Sequence, residues 1–255
     1  MTEALPVTRA DIEAAHARIA AHVRRTPVIA PGRGAFGLDL DLILKLECLQ
    51  HMGSFKSRGA YVRMSRLPAS ACSAFRERTG AIDIHPYDAV PTIAGQGTTG
   101  LEWEEQSPEL DTVLVAVGGG GLIAGVATWY ENRVKVVAVE PETSCCLKAA
   151  RDAGQPVDVD VEGVAADSLG ARRIGTLPFR QTEAFVDAAL VVPDAAIVAA
   201  QALLWRDLNV ATEPGGATAL AALLSGAYQP TPGERVGVLA CGSNVDIATL
   251  AALPA

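Results

Sequence analysis

Thr112-Val113-Leu114-Val115-Ala116-Val117 runs directly into Gly118-Gly119-Gly120-Gly121, and Leu122-Ile123-Ala124-Gly125-Val126-Ala127 follows. The first stretch is apolar without alternation, which predicts a strand over 112–117 buried on both faces. The glycines predict a loop, 122–130 reads as a helix, and Val134 to Glu140 reads as a second buried strand. A strand–loop–helix–strand unit of this kind builds a parallel sheet covered by helices. The same alternation continues through Ala188–Val192, a helix over 194–208, Ala217–Leu224 and Val236–Ala240. Upstream, Thr8 is placed to N-cap a helix over 8–23, in which Ile12, Ala15, Ile19 and Val23 recur at helical spacing. A strand is expected over 41–47. Helices are expected over 59–67 and 92–106, the latter with its glycines at the front. The fold class is α/β.

The chain has 255 residues, 49% apolar and 20% charged, enough to bury a full core. Its formal charge of −8 argues against nucleic acid and against an anionic membrane surface as partners. No apolar run marks 1–10 as a signal peptide, and the apolar stretch 113–129 is interrupted by glycines and too short to span a bilayer. Five cysteines with no Cys-x-x-Cys spacing fit free thiols in a reducing cytoplasm.

Four glycines between a buried strand and a helix let backbone N–H groups converge on an anion, with the helix N-terminus adding positive potential. No packing reason for four in a row is visible, so phosphate binding is expected at Gly118, Gly119, Gly120 and Gly121. The loop also matches a rival pattern. Gly119, Gly121 and Ala124 have the G-x-G-x-x-G/A spacing, and Glu140 ends the next strand, as in a dinucleotide fingerprint.

A second motif reads Gly53-Ser54-Phe55-Lys56-Ser57-Arg58-Gly59-Ala60. One lysine framed by small residues ahead of a helix suits a Schiff-base nucleophile, whose pKa burial or a nearby cation such as Arg58 would lower. The alternative is a surface lysine. A third motif, Leu239-Ala240-Cys241-Gly242-Ser243-Asn244, puts a thiol and a hydroxyl at the carboxyl end of a strand, where α/β folds place ligands. The alternative there is a polar turn. Glu213-Pro214-Gly215-Gly216 reads either as a capped turn or as a pocket wall with a carboxylate.

These motifs occur in one order with Lys45-Leu46-Glu47 and Val139-Glu140-Pro141. The chain resembles the pyridoxal-phosphate enzymes of the tryptophan-synthase β-like fold, in particular the threonine/serine dehydratases and their serine-racemase relatives. The resemblance runs over almost the whole chain. It implies a three-layer, parallel-sheet large domain over 1–40 and 93–255, with a smaller, truncated α/β domain over 41–92. It implies pyridoxal 5'-phosphate as cofactor and Lys56 as the Schiff-base residue and general base. Phe55 would pack on the cofactor ring, Gly118–Gly121 and Leu122 would hold its phosphate, Glu213 would line its pocket, and Cys241 would face the pyridine nitrogen where the family usually has Ser. Ser54 would touch a small amino-acid substrate. The implied reaction is β-elimination from a β-hydroxy amino acid such as threonine or serine, giving a 2-keto acid and ammonia. Members are often dimers, so a homodimer is an expected arrangement.

Two features depart from the family. The Ser-x-Gly-Asn-His loop that grips the substrate carboxylate is missing, and the pattern breaks at Cys72–Ser73, as though part of the small domain were absent. It resumes at His85-Pro86-Tyr87-Asp88 and at Ile93-Ala94-Gly95-Gln96-Gly97-Thr98. A chain so reduced is expected to be catalytically impaired. The divalent-cation site of some members is also altered. Glu140 is kept, but Cys146 stands where an Asp is needed, so no metal is expected.

Overall fold

The computed structural model describes residues 4–66 and 85–254. The expected interruption at Cys72–Ser73 lies outside the described residues. In chain order the elements are α1 (Arg9–Ile19), β1 (Val28–Ile29), β2 (Asp41–Leu46), α2 (Lys56–Ser65), α3 (Val90–Gln106), β3 (Thr112–Ala116), α4 (Gly121–Tyr130) and β4 (Lys135–Pro141). They continue with α5 (Cys146–Ala153), α6 (Ala166–Leu169), α7 (Thr176–Phe185), β5 (Ala188–Val192), α8 (Asp194–Leu208), α9 (Pro214–Leu224), β6 (Arg235–Ala240) and α10 (Ile247–Ala251).

The described residues form a six-stranded sheet in the order β1-β2-β6-β3-β4-β5. All pairings are parallel except that of the short edge strand β1 with β2. Every residue of β3 is buried, as a strand covered on both faces requires. On one side α4 packs with α3 and α7; on the other α9 crosses β3, β4 and β6 with α8 beside it. Asp41–Leu46, assigned from the sequence to the smaller domain, pairs along its whole length with β6 and is therefore a strand of the large sheet. Its burial explains this: Leu42, Leu44, Lys45 and Leu46 are all enclosed.

Helix α1 opens with a reciprocal capping box, Asp11 N–H donating to Thr8 Oγ1 and Thr8 N–H to the Asp11 carboxylate. It stops at Ile19, four residues short of the periodic pattern. The glycines of α3 serve helix contact. A Cβ on Gly95 would lie 2.6 Å from Gly59 Cα in α2, and one on Gly125 of α4 would lie 2.5 Å from Gly97 N. Backbones that close together allow α4 to be buried on every side, all ten of its residues being enclosed.

Candidate active site

The sheet order explains how motifs far apart in sequence meet. Strands β6 and β3 are neighbours and β2 flanks β6, so the segments after their carboxyl ends share one edge of the sheet. A cavity of about 330 Å³ opens there, and its walls include Phe55, Lys56, Gly118, Gly119, Gly120, Gly121, Leu122, Glu213 and Cys241. The lysine loop is fastened to the β6 loop by Phe55 N–H donating to Cys241 O at 3.2 Å, by Ser243 N–H donating to Gly53 O at 2.8 Å, and by a bridge between Ser54 and Gly242.

Ser54 is not part of the wall. It is buried, and its Oγ accepts from Lys56 N–H at 3.3 Å, so the side chain is used to start α2. The Lys56 side chain is exposed at the cavity, its Nζ 5.3 Å from the centroid of the Phe55 ring. Arg58 is not the free neighbouring cation that the sequence suggested. Its guanidinium is fully buried and turned away onto Glu47 and Glu102.

The glycine loop has packing reasons that the sequence concealed. Gly120 sits at φ +89° as the N-cap of α4, and a Cβ there would also meet Pro178 and Ile174. The Tyr87 ring lies on Gly119, its backbone on Gly121, and the Leu169 carbonyl on Gly118. The anion-binding feature is separate from these contacts. Among the described residues the N–H groups of Gly118, Gly119 and Gly120 donate to no acceptor of the chain, and they lie at the mouth of α4. Three free donors at a helix N-terminus suit a phosphate.

The Cys241 side chain is 2% exposed, and its Sγ donates to Gly215 O at 3.4 Å. Burial, assisted by the Glu213 carboxylate, pushes this thiol up to about 12, so it stays neutral. Glu213 precedes α9 without capping it by its side chain, which leaves the pocket-wall reading. Burial raises its carboxyl above the ordinary range, against the opposing pull of Lys56 and the Asn244 N–H. Glu140, required by the dinucleotide pattern, does not face the loop. It is fully buried, and its two oxygens accept from Leu147 N–H and Lys148 N–H at 2.8 Å each, which caps α5. Cys146 Sγ donates to Gly118 O at 3.2 Å. Among the described residues no three His, Cys, Asp or Glu side chains converge as a metal would need.

Sequence reasoning missed several cavity residues: Tyr87, and the turn Asp167-Ser168-Leu169-Gly170 with Arg172. The turn sits beside the site because Ser168 Oγ accepts from Gly215 N–H at 3.0 Å and Leu169 packs on Gly118. These are long-range contacts with no local periodicity to reveal them. Taken together, the cavity offers an anion cradle, a primary amine and a neutral thiol, and so suits a ligand that carries a phosphate-like anion, a carbonyl and a hydrogen-bond acceptor.

Comparison with known proteins agrees. The family model described as pyridoxal-phosphate dependent enzyme matches residues 65–242. The biosynthetic L-threonine dehydratase of Escherichia coli K12 is 42% identical over 174 residues, 67% of this chain and 34% of that protein. The chain thus spans about a third of the length of the first curated relatives it matches. A serine racemase of Oryza sativa subsp. indica is 29% identical over 310 aligned positions, covering 94% of this chain and 91% of the relative. That alignment is longer than the 255 residues of this chain, so it includes relative positions that the chain lacks. The crystal structure of a T.th. threonine deaminase superposes with a TM-score of 0.85 at 33% identity, covering 94% of this chain and 99% of that one.

Proposed function

Because the chain belongs to the pyridoxal-phosphate dependent enzymes, we propose that it is an ammonia-lyase of the threonine/serine dehydratase type. It would eliminate water from a β-hydroxy amino acid such as L-threonine or L-serine and release a 2-keto acid and ammonia. One observation carries the reading: Lys56, the free N–H groups of Gly118–Gly120 and the neutral Cys241 thiol face a single cavity.

The residues present fit pyridoxal 5'-phosphate. The Gly118–Gly121 loop and Leu122 would hold the phosphate at the N-terminus of α4, and Phe55 would lie beside the ring. Cys241 would meet the pyridine nitrogen as a neutral donor once its Sγ leaves Gly215 O, without giving up its proton. The bound cofactor would supply an electron sink for the substrate α-carbon. Lys56 would link to the cofactor and, once displaced by the substrate amine, take the α-proton on Nζ as general base. Glu213, whose carboxyl pKa is raised by burial against the pull of Lys56, would stand beside the Lys56 amine in the cavity wall. The free thiols of the described residues suit a cytoplasmic setting. No described helix is long and apolar enough to cross a membrane.

A second reading, a chain that binds cofactor but turns over slowly, is favoured by one observation. The Ser-x-Gly-Asn-His stretch is absent from the sequence, and the carboxylate grip it would provide is lost with it.

Purified protein incubated with pyridoxal 5'-phosphate should show a visible absorbance band discharged by borohydride, and Lys56→Ala should abolish it. Release of 2-keto acid from L-threonine or L-serine then separates the two readings. A Lys56→Ala protein that still traps cofactor covalently at the same site overturns the assignment of Lys56.

A further inference from the structure

Two residues beyond Lys56 the chain buries a whole guanidinium. Arg58 closes its fork on Glu47, Nε to Oε2 at 2.8 Å and Nη2 to Oε1 at 2.7 Å, and Nη2 also reaches Glu102 Oε2 at 3.1 Å. The other Glu102 oxygen takes the Lys45 ammonium at 2.5 Å, and the same Nζ donates to Thr26 O and Gln106 Oε1. The four charged side chains are between 0% and 3% exposed. Burial opposes ionisation of Glu102, but Arg58 and Lys45 outweigh it and hold this carboxyl below the ordinary range. Two cations face two carboxylates, so the cluster is balanced.

None of the four lines the cavity. Stability is a weak reason for such a cluster, because desolvating four charges costs about as much as their pairing returns. Apolar side chains of similar volume commonly do as well or better. Geometry is the stronger reason. A guanidinium bound to a carboxylate at two points fixes both distance and orientation, whereas apolar contacts tolerate sliding and rotation. Here the fixed point lies in the first turn of α2, the carboxylates come from the residue that follows β2 and from the C-terminal part of α3, and Lys56 is on the same turn as Arg58. The direction in which the long, exposed Lys56 arm leaves the helix is therefore set by where Arg58 is anchored.

We propose that Arg58, clamped by Glu47 and Glu102, is a positioning residue that fixes the first turn of α2 so that the Lys56 amine meets the cofactor carbonyl. The proposal rests on the assignment of Lys56 above. A reacting group has to be held within about 0.5 Å of its productive position, and neighbours outside the site supply that constraint.

The test compares the native protein with the double variant Glu47→Met/Arg58→Met and with Arg58→Lys. The double variant removes one charge of each sign and leaves Lys45 paired with Glu102. Each protein is titrated with pyridoxal 5'-phosphate across pH, reduced with borohydride and mapped by peptide mass to find the modified lysine. Thermal melting is followed alongside. The double variant should melt near the native temperature, yet need about tenfold more cofactor to modify Lys56, with a shifted pH midpoint for the modification. Arg58→Lys, which keeps the charge and loses the fork, should change in the same direction, and it decides the matter alone if the double variant does not fold. Native cofactor affinity and native pH midpoint in a folded variant overturn the proposal, since a purely structural role would move only the melting temperature. If the native protein itself is not modified at Lys56, the assignment of Lys56 fails first and the proposal with it.

Discussion

The N–H of Phe55 donates to the carbonyl oxygen of Cys241 at 3.2 Å, so the residue before the lysine hangs from the residue after the last strand. Lys56 and the Cys241 thiol are thereby held in one frame, although 185 positions separate them in the chain. A Cβ on the adjoining Gly242 would meet the Glu213 carboxylate, with its Cδ at 2.9 Å, so the end of that flexible side chain would have to shift. Gly242→Ala should force Glu213 toward the cavity and disturb both neighbours of Lys56. Because only the end of a flexible side chain has to move, the cost lies at the low end of the roughly 1–3 kcal/mol that overpacking carries. A urea midpoint lowered accordingly, together with weaker pyridoxal 5'-phosphate binding, is the expected result. Unchanged stability and binding would show that the frame is soft.

Gly120 combines a φ of +89° with Pro178 Cβ at 2.8 Å and Ile174 Cγ1 at 2.9 Å from the position of a Cβ. Gly120→Val should therefore twist the loop and turn its free N–H groups away from a common point. Cofactor affinity is expected to fall more than tenfold, a loss above about 1.4 kcal/mol. Equilibrium titration of the folded variant checks this, and a native affinity would remove the loop from the phosphate site.

The sheet was legible because its strands are apolar without interruption. Ala188–Val192 and Asp194–Leu208 form over the same bounds that their patterns predict. Helix α1 is capped at Ala20, which still has helical dihedrals, and gives way to a turn before Val23, which a periodic valine cannot signal. What stayed hidden was made by distant partners. Glu140 looks like a ribose ligand in the sequence, yet it caps α5, a helix with no cap of its own nearby. Arg58 reads as a cation beside Lys56, but its direction depends on Glu102, which lies 44 residues away. The tetraglycine run reads as purely functional until Tyr87 and Leu169 are seen resting on it.

Cys241 gives a chemical test of the cavity floor. Its thiol, pushed up to about 12 by burial and 2% exposed, should resist alkylation at pH 8 in the folded protein. Cys145, partly exposed, should react before it. Cys241→Ser keeps a neutral donor and should keep cofactor affinity within about threefold. Cys241→Val removes one hydrogen bond worth about 0.5–1.5 kcal/mol, and affinity should fall by up to about tenfold. Equal affinity for the Ser and Val variants would mean that residue 241 does not meet the ring nitrogen.

Glu140 predicts a pH dependence of stability with a definite sign. Burial raises its carboxyl from 4.5 to about 7, even though the N–H groups of Leu147 and Lys148 and the Lys148 charge favour ionisation. A folded-state value above the unfolded one means that the native protein holds the proton more tightly. The resulting stabilisation is complete below about pH 4.5, and it is lost as pH rises through about 7. The interval corresponds to about 3 kcal/mol for a group this enclosed. Glu140→Gln cannot ionise, so it should lack this decline. It carries instead a pH-independent cost, since its amide can offer only one oxygen to the two N–H groups. Urea unfolding at pH 5 and pH 8 measures both. The native protein should lose stability between the two values relative to Glu140→Gln, which is the less stable of the pair at pH 5. A difference between the two proteins that does not change with pH would show that the N–H groups at the start of α5, together with the charge of Lys148, outweigh burial and keep Glu140 ionised throughout.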